Sequence, residues 1–127
     1  MKILFLFWFF SFKSIQLKAQ QNIYPTYAGN DLGLTYSKSA SGFRIWAPTA
    51  SKVRLHLYQQ PLGGEALTTI ELKKSIQGTW TTTLTGDRAG IFYTFSAEYN
   101  GQWLNEVPDP YAKAVGTNGK RAMIVDL

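Results

Sequence analysis

The residues able to do chemistry are few and scattered. Eight acids are present: Asp31, Glu65, Glu71, Asp87, Glu98, Glu106, Asp109 and Asp126. Hydrolysis by paired carboxyl groups needs two of them facing each other across a cleft, commonly within a much larger scaffold. Asp87 sits in a turn after Gly86, Asp31 follows Gly29 and Asn30 in a loop, and Glu71 and Glu98 fall on the polar sides of strand-like segments. Each reads as a solvated surface or turn group. Glu106 and Asp109 are close in sequence, but Pro108 stands between them. His56 is the single histidine, which excludes a multi-histidine metal site and makes any Ser-His-Asp triad depend on that one ring. Its place between Arg54 and Tyr58 assigns it to a wet strand face instead. Cysteine is absent, so a disulfide framework, a thiolate metal site and a cysteine nucleophile are excluded together. Gly63-Gly64 reads as a turn, and no phosphate-cradling loop is present. The expectation is a stretch with no catalytic residues, no metal and no cofactor.

The elements that position these side chains are strands. At 127 residues the chain has one domain's length, and a sandwich of two antiparallel sheets needs only about 100 residues. Hydrophobic residues at 45% and aromatic residues at 15% supply a core, while charged residues at 17% are too few for a disordered tail. Phe43 and Ile45 fall on one face of a strand and Arg44 and Trp46 on the other, with Pro48 ending it. Val53, Leu55 and Leu57 alternate with Arg54, His56 and Tyr58, giving one dry face and one wet face. Ile70 and Leu72 alternate through Glu71. After a Gly78 turn, Trp80, Thr82 and Leu84 repeat the period, which puts Trp80 in the core. Ile91, Tyr93, Phe95, Ala97 and Tyr99 keep to odd positions, Asn100-Gly101 is a hairpin signal, and Trp103 starts the return strand. A loop with Pro108, Pro110 and Gly116 follows, and Met123, Ile124 and Val125 form a last short strand. No window of about eleven residues carries a convincing helical repeat. The expected fold class is all-β, an antiparallel β-sandwich.

The first twenty residues read as an address. Met1 and Lys2 form a short positive start and Ile3 to Phe10 is wholly apolar. That run is far shorter than the roughly 18 to 20 residues a membrane-spanning helix requires. The segment 1–20 is therefore expected to be a secretory signal, cut after Ala19 or Gln20, and residues 21–127 one module. The expected location is secreted, periplasmic or cell-envelope, with no membrane attachment after cleavage and no lipobox cysteine for a lipid anchor. Lys2, Lys13 and Lys18 lie in the signal, which has no acid, so 13 − 3 = 10 basic residues face 8 acidic ones in the remainder, a balance of +2. With no basic cluster, nucleic acid is not an expected partner. Ending on a strand at Leu127, the chain reads as stopping at a module boundary or a truncation point.

Three motifs carry a family resemblance. Phe43-Arg44-Ile45-Trp46-Ala47-Pro48-Thr49-Ala50 resembles the start of the immunoglobulin-like modules that precede the barrel in glycogen-branching and debranching enzymes. Trp103-Leu104-Asn105-Glu106-Val107-Pro108-Asp109-Pro110-Tyr111-Ala112-Lys113-Ala114 is similar, more particularly, to type I pullulanases, as are Asn118-Gly119-Lys120-Arg121 and Ile124-Val125-Asp126-Leu127. Tyr27-Ala28-Gly29-Asn30-Asp31-Leu32-Gly33 resembles the lead-in of the same family, so the likeness runs from about Tyr24 to Leu127. The resemblance implies an immunoglobulin-like sandwich classed with family 48 carbohydrate-binding modules. In such enzymes it leads into a barrel that hydrolyses α-1,6 bonds of pullulan, glycogen or starch dextrins. A barrel takes roughly 200 residues or more, which 127 residues cannot hold.

What this implies for sites divides in two. Flat rings on a rigid sheet stack against glucose, and Trp46, Trp80, Trp103, Tyr58 and Tyr99 are the rings available. Trp103, Trp46 and Tyr99 are the expected glucan-binding set, with Trp103 as the best platform. By resemblance, Trp103 within Asn100-Gly101-Gln102-Trp103 matches one sugar-stacking tryptophan of glycogen-binding modules. The lysine those modules carry seven residues earlier is Ser96 here, and nothing from Ala50 to Gly64 supplies their second tryptophan. One ring covering on the order of 100 Å² is worth about 2.5 kcal/mol, which gives weak binding against the cost of association. The second expected surface is for docking: Asn105, Glu106, Pro108, Asp109, Pro110 and Tyr111. Pro108 and Pro110 hold that segment extended and remove two donors, and Asp109 can accept from loop amides. The expected role is a non-catalytic module supporting the barrel and presenting α-glucan. The alternatives are a free-standing exported glucan-binding module and a ligand-free fragment of a truncated gene.

Overall fold

Strand β3, Lys52–Tyr58, sets the frame, because Val53, Leu55 and Leu57 are all buried at period two. The structure, a computed structural model, describes residues 25–112 and 119–126. The stretch read as a secretory signal, 1–20, lies outside the described residues, as do Lys113, Ala114, Asn118 and Leu127 of the family motifs. β3 pairs antiparallel with β4, Thr68–Glu71, on one side and with β7, Phe92–Tyr99, on the other. β8, Gln102–Trp103, and β9, Ala122–Met123, both pair with β7, at its two ends. The second sheet places β1, Gly33–Tyr36, β2, Ala40–Trp46, β6, Thr79–Thr85, and β5, Lys73–Lys74, side by side in that order. A 3-10 turn lies at Ile76–Gly78.

The two sheets meet over an aromatic triad. Phe43 from β2 packs edge-to-face on Tyr93 and Phe95 from β7, with ring centroids 5.0 and 6.1 Å apart, and Tyr93 meets Phe95 at 5.8 Å. Leu55, Leu57, Trp80, Leu84 and Ile124 close the core around them. Trp80 is buried as its period implied, and its indole N–H donates to the Ala47 carbonyl at 2.9 Å. Together the sheets make the all-β, immunoglobulin-like antiparallel sandwich expected from the alternation and the resemblance.

The turns follow their residues. Asn100 and Gly101 both have positive φ, 51° and 79°, as a two-residue hairpin turn requires. Gly78, at φ 79°, lies against Pro48, where an added Cβ would come within 2.8 Å of Pro48 Cβ. Three sequence expectations shift. Tyr58, expected on the wet face, is buried, because the Arg121 guanidinium lies 3.4 Å from its ring centroid. Thr94 and Ser96 are buried although they sit on the outer face of β7. The last ladder is Ala122–Met123, one residue earlier than the apolar run suggested, and Ile124 continues it with an N–H bond to the Ile91 carbonyl at 2.8 Å.

Candidate functional site

The docking residues lie on a strap, 104–112, that runs along the free edge of β7 between β8 and β9. Leu104 N–H donates to the Ala97 carbonyl at 2.9 Å, and Phe95 and Val107 exchange two backbone bonds at 2.8 Å each. Pro108 and Pro110 cannot donate, so the ladder stops at Val107 and the chain turns inward at Asp109. Asp109 is 4% exposed. Its carboxylate accepts from the Tyr93 hydroxyl at 2.8 Å and from the Tyr111 amide at 2.9 Å. Burial first, and then the Asp109 charge, push the Tyr93 hydroxyl well above the ordinary phenol range. Gly33 faces the strap's end, since a Cβ there would stand 2.8 Å from Tyr111 Cβ. Tyr111 itself is exposed and helps line a polar groove of about 390 Å³ with Asn30, Leu34, Tyr36 and Asp126.

Glu106, exposed, braces the outer face of the five-stranded sheet. Its carboxylate accepts from Thr94 Oγ1 at 2.6 Å and from the Tyr58 hydroxyl. Partial burial works to raise its pKa, but the bonds from Thr94 and Tyr58 and the nearby His56 and Arg121 outweigh it and hold the carboxyl below its ordinary value. Other acids are likewise engaged by donors: Asp31 by Arg44 at 3.1 Å, and Asp87 by the Tyr36 hydroxyl at 2.6 Å and the Ala89 amide at 3.0 Å. Among the described residues no three of His, Asp and Glu gather to hold a metal.

Beside the strap, where the sheets part, opens an apolar cleft of about 200 Å³ lined by Ile45, Trp46, Ala47, Tyr99, Leu104, Asn105 and Val107. Three of its side chains are widely exposed: Trp46 at 43%, Leu104 at 56% and Val107 at 50%. Trp46 is fixed there by its indole N–H, which is shared between the carbonyls of Pro25 and Gln77 at 3.2 Å each. The structure thus brings together Trp46 and Tyr99 of the glucan set with Asn105 of the docking set.

Trp103 stands apart. Its register partner is Glu98, and β3 aligns Arg54 with Ser96, so Trp103, Arg54 and His56 share the outer face of the five-stranded sheet. Tyr99 points to the opposite side, so the two rings do not form one platform. The Arg54 guanidinium stacks over the Trp103 ring, 4.0 Å from its centroid. His56 bridges Ser96 Oγ at 2.7 Å and Thr69 Oγ1 at 3.1 Å, and burial depresses its pKa. Sequence reasoning passed over Arg54, Leu104 and Val107. Leu104 and Val107 carried a signal, two apolar residues in a proline-rich loop, whereas the Arg54 contact requires knowing the strand register.

Comparison with known proteins agrees with this architecture. The family described as carbohydrate-binding module 48 (isoamylase N-terminal domain) matches residues 31–112. Pullulanase from Bacillus subtilis is 32% identical over 99 residues, covering 78% of this chain and 13% of that protein. Pullulanase from Paenibacillus barengoltzii, solved in complex with maltohexaose and α-cyclodextrin, superposes with a TM-score of 0.75 at 45% identity, over 79% of this chain and 15% of that one. Pullulanase from Bacillus acidopullulyticus gives 0.76 at 42% identity, over 82% and 13%. The chain therefore spans about an eighth to a seventh of the length of these relatives.

Two outcomes follow from the strap. Asp109→Ala leaves the Tyr93 hydroxyl buried without its acceptor and lowers unfolding free energy by about 1–3 kcal/mol, measured by urea denaturation. A carboxyl whose folded-state pKa lies below its unfolded value, here near 4.5, stabilises the fold above that value and loses the contribution as pH falls through the lowered one. Urea midpoints should accordingly fall more steeply from pH 5 to pH 3 in the wild-type protein than in Glu106→Gln.

Proposed function

The chain belongs to the carbohydrate-binding module 48 (isoamylase N-terminal domain) family, and from that premise we propose that it is the non-catalytic accessory module of an α-1,6-glucan-debranching glycoside hydrolase of pullulanase type, packing on the catalytic barrel and presenting α-glucan to it. The observation that carries this reading is the apolar cleft beside the strap. Trp46, Leu104 and Val107 stay exposed although Trp46 lies in β2 and the backbones of Leu104 and Val107 bond to β7, which is the character of a preformed contact surface. Covering on the order of 300 Å² there contributes about 7 kcal/mol at roughly 25 cal/mol per Å². The barrel of the parent enzyme is the covering partner in this reading.

Glucan presentation is favoured by a separate observation, the semi-exposed Trp103 ring on the opposite face. Pullulanases solved with maltotriose and maltotetraose make linear α-glucan the ligand class to test. A single ring binds free sugar weakly. Tethering to a barrel that already holds the same polymer raises the local concentration enough for weak stacking to matter.

Calorimetric and tryptophan-fluorescence titrations of the purified protein test both halves. With maltoheptaose, a saturable change in the millimolar range is expected, abolished in Trp103→Ala and retained in Leu104→Lys. With a pullulanase lacking its own copy of this module, binding is expected in the wild type and Trp103→Ala and lost in Leu104→Lys. A folded protein that gives neither signal would leave the reading without support.

A further inference from the structure

On the outer face of the five-stranded sheet the polar groups around His56 and Glu106 are already engaged. Both ring nitrogens of His56 are taken by Ser96 and Thr69. Glu106 accepts from Thr94 and Tyr58, and Arg121 donates to the carbonyls of Gln60 and Gly63 at 2.8 and 2.7 Å. Arg54 is different. Among the described residues its guanidinium makes no hydrogen bond, and its nearest carboxylate oxygen, Glu71 Oε1, is 3.9 Å away, with side chains 38% and 55% exposed. A pair so long and so solvated adds little to stability. The close partner is instead the Trp103 ring, reached across β7 from a strand two places away.

We propose that Arg54 is a positioning and specificity-determining residue of the Trp103 glucan surface, which it prepares by covering one face of the indole and leaving the other to a glucose ring. The inference rests on the reading that glucan stacks on Trp103. A planar guanidinium can lie flat against an indole face, so the contact restricts the side-chain torsions of a tryptophan that sits on a two-residue edge strand. An indole held in this way has less rotamer freedom to lose when sugar binds. It also limits the mode of binding. With one face taken, the ring stacks on the flank of a single glucan chain and cannot be sandwiched between two.

The test is calorimetric titration with maltoheptaose of the wild type, Arg54→Ala, Arg54→Lys and Trp103→Ala, with urea midpoints to check folding. Arg54→Ala should weaken binding roughly two- to fivefold, the range expected of an exposed cation-aromatic contact, with its urea midpoint unchanged. Arg54→Lys, which keeps the charge without the planar stack, should fall between. A spectroscopic readout isolates positioning from charge: the emission assignable to Trp103, taken as the difference from the matching Trp103→Ala protein, should lose anisotropy in Arg54→Ala. Arg54→Ala binding as well as the wild type, or more tightly, would overturn the inference while leaving the glucan surface intact, since Arg54 would then be a bystander or a shield. Wild-type protein that binds no maltoheptaose at millimolar concentration would overturn the glucan surface and this inference with it.

Discussion

The buried hydrogen bond from Tyr93 to Asp109 is the constraint on which the rest of the strap depends. A carboxylate is expensive to remove from water, and the cost is tolerable only where donors replace the lost hydration. Asp109 has two, the Tyr93 hydroxyl and the Tyr111 amide. Tyr93 is itself the centre of the aromatic triad that joins the sheets, so the strap is anchored to the core and not merely laid on it. The prolines on either side contribute through the unfolded state, since their fixed φ leaves less backbone freedom to lose when the segment is ordered. Everything upstream on the strap inherits this rigidity. Leu104 and Val107 form a wall of the cleft because the chain beyond them is pinned.

Period-two alternation then separates two kinds of surface. Across the hairpin, Glu98 faces Trp103 and Tyr99 faces Gln102. Adjacent residues of a strand point to opposite sides, so Trp103 joins Arg54 and His56 on the outer face, while Tyr99 turns to the edge of the core beside Trp46 and Val107. The outer face is largely polar, and the cleft is apolar and open. Two partners of different chemistry, one hydroxylated and one hydrophobic, can use them without competing.

What the sequence made legible is what local rules govern. Strand alternation identified Val53, Leu55, Leu57, Phe43 and Trp80 as core, and Asn100-Gly101 fixed the hairpin. Asp109 was readable as an acceptor for loop amides because the flanking prolines remove donors, and Tyr111 supplies that amide. Its second donor, Tyr93, was not readable, being set by how the strap folds back onto β7. The same limit explains Tyr58, Thr94 and Ser96. Their alternation marks them as outward, and only the arrival of Arg121, Glu106 and His56 from other segments buries them. The glucan set was chosen by residue type, and type cannot tell that Trp46 and Tyr99 fall on one cleft while Trp103 falls behind it.

The two surfaces also account for how so weak a platform can serve on the proposed reading. One indole face covering on the order of 100 Å² yields about 2.5 kcal/mol, less than free association costs. A module fixed to a barrel by its cleft meets that cost once, when the barrel docks. Every later encounter with a polymer held at the active site is then effectively intramolecular, and its strength depends on geometry more than on the affinity of the isolated ring. Rigidity between cleft and platform becomes the quantity that matters. It is supplied along one path: the cleft wall at Leu104 follows directly on Trp103, bonds back to β7 at Ala97, and is held from below by Val107 and Asp109. On this reading a loosened strap would weaken docking and glucan presentation together, although Tyr93 and Asp109 are both buried.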